Sequence, residues 1–206
     1  MKNPRISKKK IKKVFLHSGK KAAAVFLDRD GVINKDEGYV CNIEQIEIID
    51  GIPEALSELK AMGFLLIVIT NQSSVARGFC SEKDVVVLHE YMRNFFKTKY
   101  GVTIDAFFYC PHHIKGTVRE YSIVCECRKP GTKMLEDAKA MFDIDLSASF
   151  LIGDKPSDIE CGIRGGVRSI QILNDKYGRH DSAFGYAGTI GEAVLLIKDS
   201  FHIQEN

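Results

Sequence analysis

Ala22-Ala23-Ala24-Val25-Phe26-Leu27-Asp28-Arg29-Asp30-Gly31 is a wholly apolar run that stops abruptly at two carboxylates. Six apolar residues without polar alternation suit a short strand covered on both faces, as in a parallel sheet. The glycine after the carboxylates permits a sharp turn. In sheets of this kind ligands bind beyond the carboxyl ends of the strands. Asp28 and Asp30 therefore stand where a site would form.

Working outward, strand-like and helix-like segments alternate. Ile52 to Met62 reads as a helix, with Pro53 in its first turn and Gly63 just past its end. Phe64 to Ile69 is a second buried strand, stopping at Thr70-Asn71-Gln72. Ser81 and Asp84 have capping-box spacing, and Val85, Leu88, Met92 and Phe95 or Phe96 then share one helix face. Ile104 to Tyr109 is a third strand. Met134, Leu135, Ala138, Met141 and Phe142 mark a further helix. Phe150 to Ile152 is a fourth strand ending at Gly153-Asp154, and Ser169 to Leu173 a fifth. This order predicts a three-layer α/β fold, a parallel sheet with helices on both faces. Asp28, Asp30, Thr70, Asn71 and Asp154 would converge on one crevice.

Bulk properties bound the class. A chain of 206 residues suffices for one α/β domain with a buried core. Its 45% hydrophobic and 27% charged residues are ordinary for a soluble protein, and no apolar run approaches bilayer length. The short stretch Val14-Phe15-Leu16 is too brief for a signal peptide, so a cytoplasmic location is expected; a monomer is the expected state. Nine of the 29 Lys/Arg fall in residues 1–21, which hold no acid; the rest carries 20 basic against 27 acidic groups. Residues 1–21 thus read as a solvated basic extension and 22–206 as the folded domain. A nucleic-acid-binding module would explain the lysines but would leave the strand-end carboxylates without a role.

The strand-end residues suit phosphoryl transfer. An aspartate can attack phosphorus and form an aspartyl-phosphate, and a second carboxyl can protonate the leaving alkoxide and then activate water. Both reactants are anions, so a cation is required. Mg²⁺ prefers oxygen ligands and takes one or two carboxylates, with Asp154 suited as a ligand from another strand. The Thr70 hydroxyl, backbone N–H groups and the Lys129 amine would stabilise charge on the transferring group.

Three cysteines crowd near a histidine pair: Cys110-Pro111-His112-His113 and Cys125-Glu126-Cys127. Three thiolates and one imidazole suit tetrahedral Zn²⁺ with no open position, hence a structural ion. His112 is the expected fourth ligand and His113 its competitor. The stapled loop runs into Arg128-Lys129, which it would hold over the mouth of the site to meet an anionic substrate. Cys41, Cys80 and Cys161 read as unliganded.

Asp28-Arg29-Asp30-Gly31-Val32, Thr70-Asn71-Gln72, Lys129 and Gly153-Asp154-Lys155-Pro156-Ser157-Asp158 together resemble the four motifs of the haloacid dehalogenase (HAD) superfamily of phosphatases. The resemblance implies Asp28 as nucleophile and Asp30 as general acid/base. It implies Mg²⁺ on the Asp28 carboxylate, the Asp30 main-chain carbonyl and Asp154, and phosphate gripped by Thr70 and Lys129. With Asn34 to Val40 and the zinc loop added, the sequence is similar to the heptose 1,7-bisphosphate 7-phosphatase family. That similarity implies a nearly capless core and removal of the 7-phosphate of a small, anionic phosphosugar. It implies substrate contacts from Asp36, Glu37, Gly38 and Tyr39, from Thr70, Asn71, Gln72 and Ser73, and from Arg128 and Lys129. Histidinol-phosphate phosphatase, which shares the catalytic motifs and a similar zinc loop, is the competing reading. Two departures stand out: Gly131-Thr132-Lys133-Met134 after Lys129-Pro130, where that family usually carries a Pro-Gly pair before the Met, and the basic segment before residue 22.

Overall fold

A computed structural model describes residues 21–202, so the basic extension, apart from Lys21, lies outside the described residues. The first strand, β1 (Ala24–Leu27), is covered on both sides. Ala24 and Phe26 pack into one core and Val25 and Leu27 into another, which is the period-2 consequence of a pleated strand. Burying a side chain such as Phe26 or Leu27 contributes roughly 1.5–3 kcal/mol.

The remaining elements are α1 (Ile52–Ala61), β2 (Leu65–Asn71), α2 (Glu82–Tyr100), β3 (Ala106–Cys110), α3 (Lys133–Phe142), β4 (Phe150–Gly153), α4 (Pro156–Gly165), β5 (Arg168–Ile172), β6 (Gly185–Ala187) and α5 (Ile190–His202). The six strands lie in the order β3-β2-β1-β4-β5-β6, each paired parallel to its neighbours. Helices α1, α2 and α5 cover one face through Leu56, Met92, Phe96 and Val194. Helices α3 and α4 cover the other through Leu135, Ala138 and Cys161. The expected three-layer α/β architecture is the one observed.

From β1 the chain moves outward to β2 and β3, then returns to place β4 on the other side of β1. This reversal of strand order opens a crevice at the carboxyl ends of β1 and β4. Asp28 follows β1 and Asp154 follows β4. The segments between β1 and α1 and between β3 and α3 carry one 3₁₀ turn (Ile43–Gln45) and no other helix or named strand.

Several boundaries differ from the sequence expectation. Ala22 forms an isolated bridge to Ile144 instead of joining β1. Strand β2 runs two residues past Ile69, so Thr70 and Asn71 pair in register with Tyr109 and Cys110. The Ser81 cap is as expected: its hydroxyl accepts from Asp84 N (3.2 Å), and Asp84 accepts from Ser81 N (2.8 Å). Helix α4, strand β6 and helix α5 add to the expected elements. Glycines at 162 and 165 dilute the α4 pattern, and β6 is a Gly-Tyr-Ala tripeptide with no alternation to read. In α5 the apolar spacing of Ala193, Val194 and Ile197 is an ordinary helical signal.

Candidate active site

Asp28 is buried immediately past β1. Its Oδ1 accepts from Arg29 N at 2.8 Å and lies 2.8 Å from Lys129 Nζ. Lys129 Nζ also meets Asp158 Oδ1 at 2.7 Å and donates to Ile69 O at 2.8 Å. Burial alone would raise the Asp28 carboxyl, but Lys129, then Lys155, outweigh it and hold the group below the ordinary aspartate range. Burial likewise works against the Lys129 ammonium, yet Asp158 and Asp28 prevail and keep it firmly protonated.

Lys129 is therefore not a cation at the mouth of the site, as its exposed-looking Arg-Lys-Pro context suggested. It is 3% exposed and wedged between two carboxylates. Asn71 explains the placement: its Nδ2 donates to Lys129 O (3.1 Å) and its Oδ1 accepts from Lys129 N (3.0 Å). The β2 end thus clamps the backbone of residue 129 and directs its side chain inward.

Asp154 lies across the crevice. Asn174 Nδ2 donates to its Oδ2 at 3.2 Å, whereas its buried Oδ1 has the Lys155 ammonium 3.4 Å away. Burial, with Asp28 and Asp158 adding to it and Lys155 only partly offsetting it, pushes this carboxyl up to about 7. Gly31 makes the approach possible. Its φ is +92°, and a Cβ there would fall 2.4 Å from Asp154 Oδ2.

One oxygen each from Asp28, Asp154 and Asp158 lie within 4.8 Å of one another. The Lys155 ammonium sits in the same cradle, 3.6 Å from Asp28 Oδ2, 3.4 Å from Asp154 Oδ1 and 3.2 Å from the Asp30 carbonyl oxygen. Those three oxygens are the ligand set that the resemblance assigns to Mg²⁺. A side-chain cation stands among them, so the donor set fits a hard cation.

The Asp30 carboxylate is held by four donors. Arg29 Nε and Nη2 fork its two oxygens at 3.0 Å each, and Asn34 Nδ2 and Gln72 Nε2 add bonds of 2.9 Å. Gln72 Nε2 also donates to Thr70 Oγ1 at 2.8 Å. Gln72 is buried and links Asp30 to Thr70 rather than projecting into open crevice space.

The sulfur cluster lies beside β3. Sulfur–sulfur distances among Cys110, Cys125 and Cys127 are 3.1–3.5 Å, and His112 Nδ1 is 3.8 Å from Cys110 and 3.4 Å from Cys127. Two thiolates on a tetrahedral zinc would stand about 3.7 Å apart. His113 does not compete: its Nδ1 accepts from Lys115 N at 3.0 Å. Arg128 Nη1 donates to His112 O at 3.3 Å, which ties the basic residue to the cluster.

Residues 126–191 match the HAD-hydrolase-like family model. The chain is 45% identical over 148 residues to D-glycero-beta-D-manno-heptose-1,7-bisphosphate 7-phosphatase of Escherichia coli K12, covering 72% of this chain and 77% of that protein. It is 44% identical over 156 residues to the corresponding alpha-anomer phosphatase of Burkholderia mallei, covering 76% and 82%. The chain belongs to the heptose-1,7-bisphosphate 7-phosphatase family. Among solved structures, a HAD-like phosphatase from Mesorhizobium loti superposes with a TM-score of 0.78 at 26% identity, covering 95% of this chain and 91% of that one. The D,D-heptose 1,7-bisphosphate phosphatase of B. bronchiseptica, solved with magnesium and phosphate, shares the fold with a TM-score of 0.74 at 24% identity, covering 86% and 99%.

Of the remaining residues expected from this family's pattern, Asp36 reaches the cradle. Asp36 Oδ2 is 3.2 Å from Lys155 Nζ, and its carbonyl accepts from Lys176 Nζ at 2.7 Å. Glu37, Gly38 and Tyr39 are exposed on the same loop, and Ser73 is half-buried beyond β2. Lys155 and Asp158, part of the fourth motif but without an expected role, both enter the site. Their signal is helical spacing. Pro156 starts α4, Asp158 is its third residue, and its Oδ2 accepts from Lys155 N at 3.0 Å, leaving Oδ1 for Lys129.

Proposed function

We propose that this chain is a Mg²⁺-dependent phosphatase that removes the 7-phosphate of D-glycero-D-manno-heptose 1,7-bisphosphate through an aspartyl-phosphate on Asp28. The observation that carries this reading is the Asp28 carboxylate. It is kept ionised by Lys129 and faces, across one crevice, the buried Asp154 carboxylate, with the Lys155 ammonium within 3.6 Å of both.

Oδ1 of Asp28 is fixed by Arg29 N and Lys129, and Oδ2 has the Lys155 ammonium 3.6 Å away. In the first step an Asp28 oxygen attacks phosphorus as the bond to the sugar oxygen breaks, and Asp30 gives that oxygen a proton. In the second, Asp30 takes a proton from water, which displaces Asp28 and releases inorganic phosphate. Lys129 balances the charge on Asp28, and the Thr70 hydroxyl, oriented by Gln72, contacts the phosphoryl oxygens. Mg²⁺, held by Asp28, the Asp30 carbonyl and Asp154, would supply the positive charge that lets an anionic carboxylate approach a phosphate. The loop from Asp36 to Tyr39 and Arg128 would contact the sugar and its second phosphate. We assign Zn²⁺ on Cys110, His112, Cys125 and Cys127 a structural role, fixing the loop that leads to Arg128 and Lys129.

Phosphate release from both anomers of the bisphosphate and from histidinol phosphate, with Mg²⁺ and with EDTA, tests the proposal. The expected result is Mg²⁺-dependent release of one phosphate per bisphosphate, leaving heptose 1-phosphate. Asp28→Asn should lower turnover by at least about a thousandfold, as loss of a nucleophile does. Preference for histidinol phosphate would overturn the substrate, and substantial Asp28→Asn turnover the mechanism.

A further inference from the structure

Arg29, the residue between the two site carboxylates, has its side chain wholly buried. A guanidinium can only donate hydrogen bonds, and burying one is tolerated when its donors find acceptors. Two of its N–H groups fork the Asp30 carboxylate at 3.0 Å, and Nη2 also reaches Val40 O at 3.3 Å. The remaining terminal nitrogen, Nη1, lies 3.3 Å from Nε2 of His89. Since arginine cannot accept, His89 Nε2 must carry the lone pair and Nδ1 the proton. The imidazole is thus neutral, in keeping with its pKa lying well below the ordinary histidine range through burial, Arg29 and Arg93.

His89 lies on the apolar face of α2, with Val85, Leu88, Met92 and Phe96, where an aliphatic side chain would pack. Its ring is fixed from the opposite side by the sheet, stacked on Phe107 at 4.8 Å between centroids and 21° between planes, with Tyr109 edge-on at 5.7 Å. A planar fork that grips a carboxylate must have its own plane fixed to set that carboxylate's direction. Val40 O and His89 Nε2 are the two acceptors that fix it.

We infer that His89 is a positioning residue: by accepting from Arg29 Nη1 it sets the guanidinium fork that aims the Asp30 carboxyl at the oxygen of the departing sugar. The inference rests on the proposed role of Asp30 as proton donor to the leaving group. Its consequence is selective. An alkoxide needs that proton as the P–O bond breaks, whereas 4-nitrophenolate departs without it. A histidine that merely fills the core would affect both leaving groups alike.

The test is single-turnover release of the leaving group by the full chain with Mg²⁺, comparing heptose 1,7-bisphosphate with 4-nitrophenyl phosphate, so that the first chemical step is read by itself. Misplacement of a catalytic group by about 1 Å can cost about a hundredfold, so His89→Leu should slow sugar release between about 10- and 100-fold. Nitrophenolate release should stay within about threefold, because it does not draw on the general acid. His89→Gln, which restores an acceptor oxygen, should recover most of the loss. His89→Phe keeps the stacked ring without the acceptor and answers the same question if the leucine variant does not fold. Equal slowing of both substrates, unchanged sugar release, or no recovery by glutamine would overturn the inference. Asp30→Asn separates the two levels. If it shows no leaving-group selectivity, the role of Asp30 falls and the inference with it; if it does and the His89 variants do not, the inference alone fails.

Discussion

Replacing Lys129 with methionine removes the cation placed directly between the buried carboxylates of Asp28 and Asp158. The Lys129 side chain is 1% exposed, and its ammonium lies 2.8 Å from Asp28 Oδ1 and 2.7 Å from Asp158 Oδ1, with a third bond to Ile69 O. Both aspartate side chains are at most 4% exposed, so water cannot take over the lost charge. Breaking a buried pair by removing one partner costs about 3–5 kcal/mol. For a domain of this size that is a fall in Tm of about 6–20 °C, at about 2–4 °C per kcal/mol. The deficit depends on pH with a definite sign. Burial already raises Asp158 even with Lys129 beside it, and Asp28 would follow once the cation is gone. A raised carboxyl keeps its proton in the folded state where the unfolded chain has released it, so stability declines as pH rises through that window. Urea unfolding of Lys129→Met in metal-free buffer should therefore show a smaller deficit at pH ~5 than at pH ~8. Adding Asp158→Asn should recover part of the loss, because one of the stranded charges is gone. A deficit below about 1 kcal/mol, the size typical of an exposed pair, would refute the reasoning. So would a deficit that grows toward acid.

Gly31→Ala should impair the cradle directly, since the added methyl would fall 2.4 Å from Asp154 Oδ2 at a backbone φ of +92°; Mg²⁺ titration by calorimetry should show weakened binding, and unchanged affinity would contradict the geometry. Cys125→Ser should lower zinc content from near one ion per chain and destabilise the loop, as metal analysis and limited proteolysis of the 111–128 segment would report. A full zinc complement in that variant would count against the ligand set. Buried His89 has its folded pKa below the unfolded value of about 6.5, so its contribution to stability is present above that pH and lost as pH falls beneath it. Urea unfolding between pH ~7.5 and ~5 should show this decline in the wild type and a flatter profile in His89→Gln; parallel profiles would exclude the assignment.

Much of the site was legible because its chemistry is concentrated at strand ends. Apolar runs such as Val25-Phe26-Leu27 and Phe150-Leu151-Ile152 announce buried strands, and the polar residue that stops each run marks the crevice. Spacing likewise grouped Cys110, Cys125 and Cys127 with the His112-His113 pair. Lys129 was legible as a site residue but not as a buried one. Its Arg-Lys-Pro surroundings look solvated, and only the Asn71 clamp on its backbone turns it inward. Asp158 carries an ordinary helix-start signal, and nothing local distinguishes a cap from a partner of Lys129.

The amino-acid order alone determined the α/β class, the strands that end in carboxylates and the crowding of three cysteines beside a histidine pair, because periodicity and residue chemistry are local properties. Which strands stand side by side is not local. The order β3-β2-β1-β4-β5-β6 sets β4 against β1, bringing residues 28 and 154 together across more than a hundred positions of chain. The choice of His112 over His113, the inward course of Lys129 and the contact between His89 and Arg29 were likewise decided by tertiary packing. Each depends on where a distant segment's backbone and rings lie, and the residues themselves would be compatible with several alternatives.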